Sequence, residues 1–118
     1  MSDIALPENG SFRFDGRTAL ITGAAKGVGA AIARELHAGG CCIAVTDVNQ
    51  QAAEETARGL DPGGETALAI RLDVRHKADF LAAKDATIAK WGRIDIVVNN
   101  AGWAKRTPTA DITPEEFD

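Results

Sequence analysis

Short apolar runs alternate with helical patterns along the whole chain. The four runs span residues 18–22, 41–46, 68–74 and 94–101, and three helical stretches separate them. Runs of this length are typical of strands buried inside a sheet. Strands that alternate with helices predict an α/β fold with a parallel sheet, because parallel neighbours need a crossover connection. Right-handed crossovers in the doubly wound arrangement predict the strand order 3-2-1-4.

The run at 68–74 differs from the other three, because its large apolar residues alternate with small or charged ones. That period is expected for a strand with one well-buried face, which suits an edge position. The three helical patterns are a stretch with apolar residues every fourth position from Val28 to Leu36, a polar stretch at 49–59 and a third at 77–91. On the third helix one stripe is expected to face the sheet, and it consists of Phe80, Leu81, Ile88 and Trp91.

Length and composition exclude several classes of protein. The 118 residues fit a single modest domain. A net charge of −4 makes nucleic acid an unexpected partner, since phosphate backbones are bound by an excess of Lys and Arg. The chain shows neither a secretory leader nor a run long enough to span a membrane, so we predict a cytoplasmic protein without membrane contact. Neither His37 nor His76 has a partner at metal-ligand spacing, and no metal site is predicted.

A glycine-rich turn joins the first strand to the first helix, over residues 22–29. Backbone N–H groups and the helix dipole at such a turn can hold a pyrophosphate. Gly23 permits a tight turn, Gly27 lets phosphate oxygens approach without a Cβ, and Gly29 allows close packing of helix on strand. The spacing is neither the G-x-G-x-x-G fingerprint nor a P-loop, and the turn alone is compatible with an ordinary loop.

Asp47 ends the second strand, 18 residues after Gly29. A carboxylate there can accept hydrogen bonds from the hydroxyls of an adenosine ribose, and it would repel a 2′-phosphate. The cofactor predicted on this ground is NAD rather than NADP. Lys26 in the turn would offset part of that repulsion.

Three motifs together resemble the N-terminal half of the short-chain dehydrogenase/reductase family. They are the Thr22-Gly23-x-x-x-Gly27-x-Gly29 turn, Asp73-Val74 at the end of the third strand and Asn99-Asn100-Ala101-Gly102 at the end of the fourth. The likeness covers residues 12–118, so residues 1–11 are interpreted as an N-terminal extension. It implies a Rossmann-like sheet that is truncated after the fourth strand.

The resemblance also implies roles for individual residues. The pyrophosphate and adenosine ribose would be lined by Gly23, Ala25, Lys26, Gly27 and Val28, with Gly29 in the same motif and Asp47 on the ribose. Asp73 and Val74 would lie against the adenine, and Asn100, Ala101 and Gly102 beside the second ribose. Every one of these positions lies at the carboxyl end of a strand, where open α/β sheets bind ligands.

The resemblance implies catalytic groups that this chain does not contain. The family uses a Tyr as general acid or base, a Lys four residues later, a Ser, and an Asn in the helix that follows the fourth strand. The chain has no Tyr, and its only serines are Ser2 and Ser11, so no catalytic residue is assigned in it and it is expected to be inactive alone. A capping box, Thr113-x-x-Glu116, starts a helix just before Asp118, which suggests a truncated sequence.

Two hypotheses for function stay open at this point. In the first, the chain belongs to an oxidoreductase about twice as long that exchanges hydride between NAD(H) and a secondary alcohol or ketone, with a polyol or sugar among the candidate substrates. The family usually forms dimers or tetramers, which implies a homo-oligomer. In the second, the chain is a non-catalytic nucleotide-binding or interaction module that ends near residue 118. A Tyr-x-x-x-Lys motif downstream of Asp118 would favour the first.

Overall fold

The computed structural model of the chain describes residues 14–100. They form a parallel sheet with helices on both faces, and the strands stand in the order β3-β2-β1-β4. The elements in chain order are β1 (Thr18–Ile21), α1 (Gly27–Ala38), β2 (Cys42–Asp47), α2 (Gln50–Leu60), β3 (Ala67–Arg71), α3 (Lys77–Trp91) and β4 (Ile96–Val98). The predicted fold class and strand order are confirmed. Predictions for residues 1–11 and for 101–118, which include Ala101, Gly102 and the helix after Thr113, lie outside the described residues.

The strand β1 lies in the centre of the sheet and is buried along its whole length. Successive side chains of a strand point to opposite faces, and Leu20 and Ile21 accordingly belong to two separate apolar clusters. The cluster around Ile21 lies under α1 and α2, whereas the cluster around Leu20 lies under α3. Covering both faces explains why the first two runs are apolar without alternation.

The strand β3 lies at the edge of the sheet, as its alternating pattern predicts. Its small residues Ala67 and Ala69 pack on the α2 side, where Ala53 and Ala57 of that helix are buried. The strand ends at Arg71, three residues earlier than the sequence pattern indicates. The reason is that the chain turns after it, since the N–H of His76 donates to the carbonyl of Asp73.

The predicted apolar stripe of α3 is wrong in part. Phe80 and Trp91 pack on the Leu20 cluster, but Leu81 and Ile88 are 40% and 42% exposed. The helix contacts the sheet through its smaller residues. Ala83, for example, is fully buried and packs with Leu20 of β1. Small side chains let a helix lie close to a sheet, and the larger neighbours are then displaced to the flank.

The helix α1 shows the same effect. Its buried residues are Gly29, Ala30 and Ala33, whereas Val28 in its first turn is 67% exposed. The helix is therefore present where the four-residue period predicts it, but its innermost face is formed by small residues. Among residues 14–100, no helix combines the length and the hydropathy that a membrane span needs.

Candidate functional site at the carboxyl edge of the sheet

The carboxyl ends of the strands border a cavity of about 600 Å³. The residues that line it are Gly23, Lys26, Gly27, Asp47, Val48, Leu72, Asp73, Val74, Arg75 and Asn100. Seven of these were predicted from sequence as site residues, and the structure brings them together from four separate strand ends. Three further predicted residues, Ala25, Val28 and Gly29, lie in or directly after the glycine-rich turn without lining the cavity.

Two glycines of the turn have the backbone conformation that the sequence argument requires. Gly23 has φ of 61° and Gly27 has φ of 63°, both in the left-handed region that favours glycine. A Cβ at Gly27 would have no neighbour within 4 Å, so the space beside this residue is open. The turn therefore exposes bare backbone to the cavity at Gly27.

Gly29 is required for a different reason, since its φ is not positive. A Cβ added there would collide with the carbonyl oxygen of Gly23 and lie 2.6 Å from Nδ2 of Asn100. The first turn of α1 therefore packs directly on the loop that precedes it and on the end of β4. This is the close helix–strand contact that the motif predicts.

Asn100 connects the glycine-rich turn to the end of β4. Its Nδ2 donates to the carbonyl of Gly23 at 3.1 Å, and its backbone N–H donates to Oγ1 of Thr22 at 2.9 Å. The Thr22 hydroxyl in turn donates to the carbonyl of Val98 at 3.3 Å. The side chain of Asn100 thus holds the turn in place.

Asp47 is half-buried at the end of β2, and both of its carboxylate oxygens accept backbone hydrogen bonds. Oδ2 accepts the N–H of Ala25 at 3.2 Å, and Oδ1 accepts the N–H of Asn49 at 3.0 Å. Each carboxylate oxygen has a second lone pair, so the group can still accept from a ligand hydroxyl. Within residues 14–100 no Lys or Arg forms an ion pair with it.

Asp73 supplies a second carboxylate to the cavity, and it is held by its neighbour Arg75. The guanidinium donates from Nε to Oδ1 at 3.0 Å and from Nη2 to Oδ2 at 2.7 Å. These bonds, with a further one from the backbone N–H of Arg75, hold the pKa of Asp73 well below its ordinary range. The Asp73 N–H donates to Oδ2 of Asp79 at 3.1 Å, so both peptide and side chain are fixed.

The first turn of α1 has N–H groups that no side chain of its N-cap satisfies. The N-cap is Lys26, whose backbone is extended and whose side chain makes no capping bond. The first turn of any helix has N–H groups without an intrahelical acceptor, and the helix dipole adds partial positive charge there. The arrangement can hold an anion at one end of the cavity, with the carboxylates of Asp47 and Asp73 as hydrogen-bond acceptors elsewhere on its wall. Within the described residues no group of three potential metal ligands occurs.

Sequence reasoning missed three residues that line the cavity, namely Val48, Leu72 and Arg75. Val48 and Arg75 each lie one residue beyond a predicted position, so extending each motif by one residue would have found them. Leu72 was interpreted as part of the third strand, but it follows the last strand residue and borders the cavity instead.

Comparison with known proteins places these motifs in a family. The family model for short chain dehydrogenase matches residues 17–118. A D-threitol dehydrogenase from Mycolicibacterium smegmatis is 44% identical over 91% of this chain, and a sorbitol dehydrogenase from Cereibacter sphaeroides is 42% identical over 90%. The chain spans 41% and 40% of the lengths of these two relatives.

Solved structures agree with this result. The crystal structure of a 3-ketoacyl-(acyl-carrier-protein) reductase from Brucella melitensis complexed with NADH superposes with a TM-score of 0.71 and 38% identity. The superposition covers 86% of this chain and 41% of that one. The sheet order, the glycine-rich turn and the family model lead to one conclusion, which is that the chain belongs to the short-chain dehydrogenase family.

Proposed function

We propose that the whole protein transfers hydride between NAD(H) and a secondary alcohol or ketone. In the oxidative direction a hydride leaves the carbinol carbon for the nicotinamide, the hydroxyl loses its proton to a base, and the products are ketone, NADH and one proton. The observation that carries the proposal is the cavity at the carboxyl edge, where the glycine-rich turn and Asp47 lie together. Membership of the family supports the reaction class.

The cofactor contacts that we propose follow the chemistry of the cavity wall. The amides of the first turn of α1 would hold the pyrophosphate, and Asp47 would accept from the adenosine ribose. Asp73 and Val74 would lie against the adenine, and Asn100 beside the second ribose, with Ala101 and Gly102 continuing that contact. NAD is favoured over NADP because a 2′-phosphate would lie against the Asp47 carboxylate.

The substrate that we propose is a small polyol or sugar alcohol. The support is the names of two relatives, a D-threitol dehydrogenase and a sorbitol dehydrogenase, both of which act on polyols by name. The catalytic acid–base group is not assigned to this chain, because the chain contains no Tyr. We propose that the remainder of a longer protein supplies it, that the whole protein is a cytoplasmic homodimer or homotetramer, and that the 118 residues alone are inactive.

An activity assay on the whole protein tests this proposal. Appearance of reduced nicotinamide is followed with NAD or NADP and a panel of polyols, and kcat/KM with NAD is expected to exceed that with NADP by about tenfold or more, equivalent to about 1.4 kcal/mol. Two outcomes would refute the proposal: turnover with NADP but not with NAD, or no turnover with either nucleotide.

The substitution Asp47→Asn tests the origin of the preference. It removes the charge but keeps one acceptor oxygen, so we expect the NAD:NADP ratio to fall by about tenfold, the size expected from losing one close charge repulsion. Affinity for both nucleotides will also fall somewhat, because Asp47 holds the N–H of Ala25. The control is Asp85→Asn, which removes the same charge from an exposed position on α3. An unchanged ratio in the Asp47 variant would assign the preference to another group.

A further inference from the structure

The peptide groups around Ala25 are fixed from two directions. The Ala25 N–H donates to Oδ2 of Asp47 at 3.2 Å, and the Ala25 carbonyl accepts from Oγ1 of Thr56 at 2.8 Å. Asp47 ends β2 and Thr56 lies within α2, so the second strand–helix unit holds the turn that follows the first strand. Thr56 has no place among the motifs described above.

The hydrogen bond of Thr56 is unusual for a threonine inside a helix. Such a hydroxyl commonly donates to the carbonyl four residues earlier in its own helix. Thr87 in α3 does this, with its Oγ1 2.7 Å from the carbonyl oxygen of Ala83. The Thr56 hydroxyl instead reaches a loop that is 31 residues away in sequence.

The direction of the Ala25 carbonyl determines the direction of the Lys26 N–H. The Ala25 carbonyl and the Lys26 N–H belong to one peptide unit, and no cis peptide bond occurs in the described chain. In a trans peptide the C=O and N–H groups point in opposite directions. Because Thr56 draws the carbonyl toward α2, the Lys26 N–H points away from α2, and Lys26 lines the cavity.

We propose that Thr56 is a positioning residue for pyrophosphate binding, which it supports by holding the Ala25–Lys26 peptide so that the Lys26 N–H faces the anion. The inference deepens the proposed function and rests on it. The ligand group concerned is the diphosphate shared by NADH and ADP, and adenosine lacks it. Thr56 itself does not touch the ligand.

Three variants of the whole protein test this role. Thr56→Val and Thr56→Ala both remove the hydroxyl, and alanine is in addition the best helix former, so a loss of affinity shared by the two cannot come from a weakened helix. Thr56→Ser keeps the hydroxyl. The matched control is Thr87→Val, which removes a buried hydroxyl that donates to the carbonyl of Ala83 in its own helix.

Dissociation constants are measured by calorimetry for NADH, ADP and adenosine, and circular dichroism checks that each variant is folded. We expect the constants for NADH and ADP to rise about three- to tenfold in both hydroxyl-free variants, the effect of one hydrogen bond. Thr56→Ser and Thr87→Val should stay within about twofold of the parent. Adenosine should bind all the proteins alike.

Two results would overturn the inference while leaving the proposed function intact. One is unchanged NADH and ADP binding in the hydroxyl-free variants. The other is an equal loss of affinity for adenosine, which would assign Thr56 a general structural role. If the parent protein itself binds neither NADH nor ADP, the proposed function fails, and the role of Thr56 fails with it.

Discussion

Gly29 packs against two groups at once, because a Cβ there would meet both the carbonyl oxygen of Gly23, in the loop before α1, and Nδ2 of Asn100. The side chain of Asn100 and the backbone of Gly23 occupy the space that any larger residue would need. The requirement for glycine here is steric, whereas at Gly27 it is conformational, since space is open there but φ is positive. One motif thus contains glycines for two separate physical reasons.

The substitution Gly29→Ala is expected to destabilise the protein by about 1–3 kcal/mol, because neither the Gly23 backbone nor the hydrogen-bonded Asn100 can move freely out of the way. Urea unfolding of the whole protein measures the difference. The control is Gly59→Ala in α2, where a Cβ would meet nothing within 4 Å. Removing a glycine from that helix should stabilise it by up to about 1 kcal/mol. Equal effects of the two substitutions would contradict the steric account.

At the residue scale, the sequence predicts those site residues that stand in a motif. Gly23, Asp47 and Asn100 each stand at or just after the end of a strand in a recognisable pattern, and the structure places all three at the cavity. Arg75 directly follows the Asp73-Val74 motif, whereas Thr56 was missed because its contact is not contained in any local pattern. The bond from Thr56 to Ala25 depends on how α2 lies against the turn, which only the tertiary structure specifies.

At the scale of elements, side-chain size determines how the helices lie on the sheet. The sequence patterns predict α1, α2 and α3 where the structure has them, but the spacing of large apolar residues does not identify the faces of α1 and α3 that lie against the sheet. Ala83 and Ala33 are fully buried while Ile88 is 42% exposed. Close packing favours small residues where a helix touches a sheet. The edge position of β3 was predictable because large apolar residues alternate with small or charged ones along this strand.

The connection from α2 to β3 is stabilised by a single carboxylate, that of Asp61. It accepts from the N–H and Oγ1 of Thr66, at 2.8 and 2.6 Å, and from the N–H of Gly63 at 3.0 Å. These hydrogen bonds, with the Thr66 hydroxyl contributing most, lower the pKa of Asp61 from 3.8 to about 2. Because the folded-state pKa is depressed, the stabilisation is complete above 3.8 and is lost as the pH falls through about 2.

Replacing this carboxylate gives a prediction with a defined pH dependence. Asp61→Asn should lower the melting temperature at neutral pH, and the difference from the parent should shrink as the pH falls from 3.8 toward 2, since the parent then loses the same hydrogen bonds by protonation. Thermal unfolding across that range measures it, with the exposed Asp85→Asn as control for the loss of one charge. A difference that stays constant or grows toward low pH would show that the Asp61 turn does not contribute in this way.

At the scale of the whole molecule, the parallel sheet brings functional groups from distant parts of the chain together at the carboxyl ends of its strands. Strand order and direction place the turn after β1 beside the ends of β2 and β4, and the loop after β3 completes the cavity wall. This much follows from the sequence, because the alternation of strands and helices leaves few topologies. The detailed shape of the cavity wall does not follow from the sequence, since it depends on side-chain hydrogen bonds such as that between Arg75 and Asp73.

We propose that this edge of the sheet, at the carboxyl ends of its strands, binds an adenine dinucleotide. Hydrogen exchange of the whole protein, measured with and without saturating NADH, tests it directly by position. We predict slower exchange in the segments 22–28, 46–49 and 72–75, which contain the residues that line the cavity, and unchanged exchange at 62–66 and 92–95, at the amino ends of the strands. Protection confined to the amino ends, or none at either end of the strands under saturating NADH, would contradict the account.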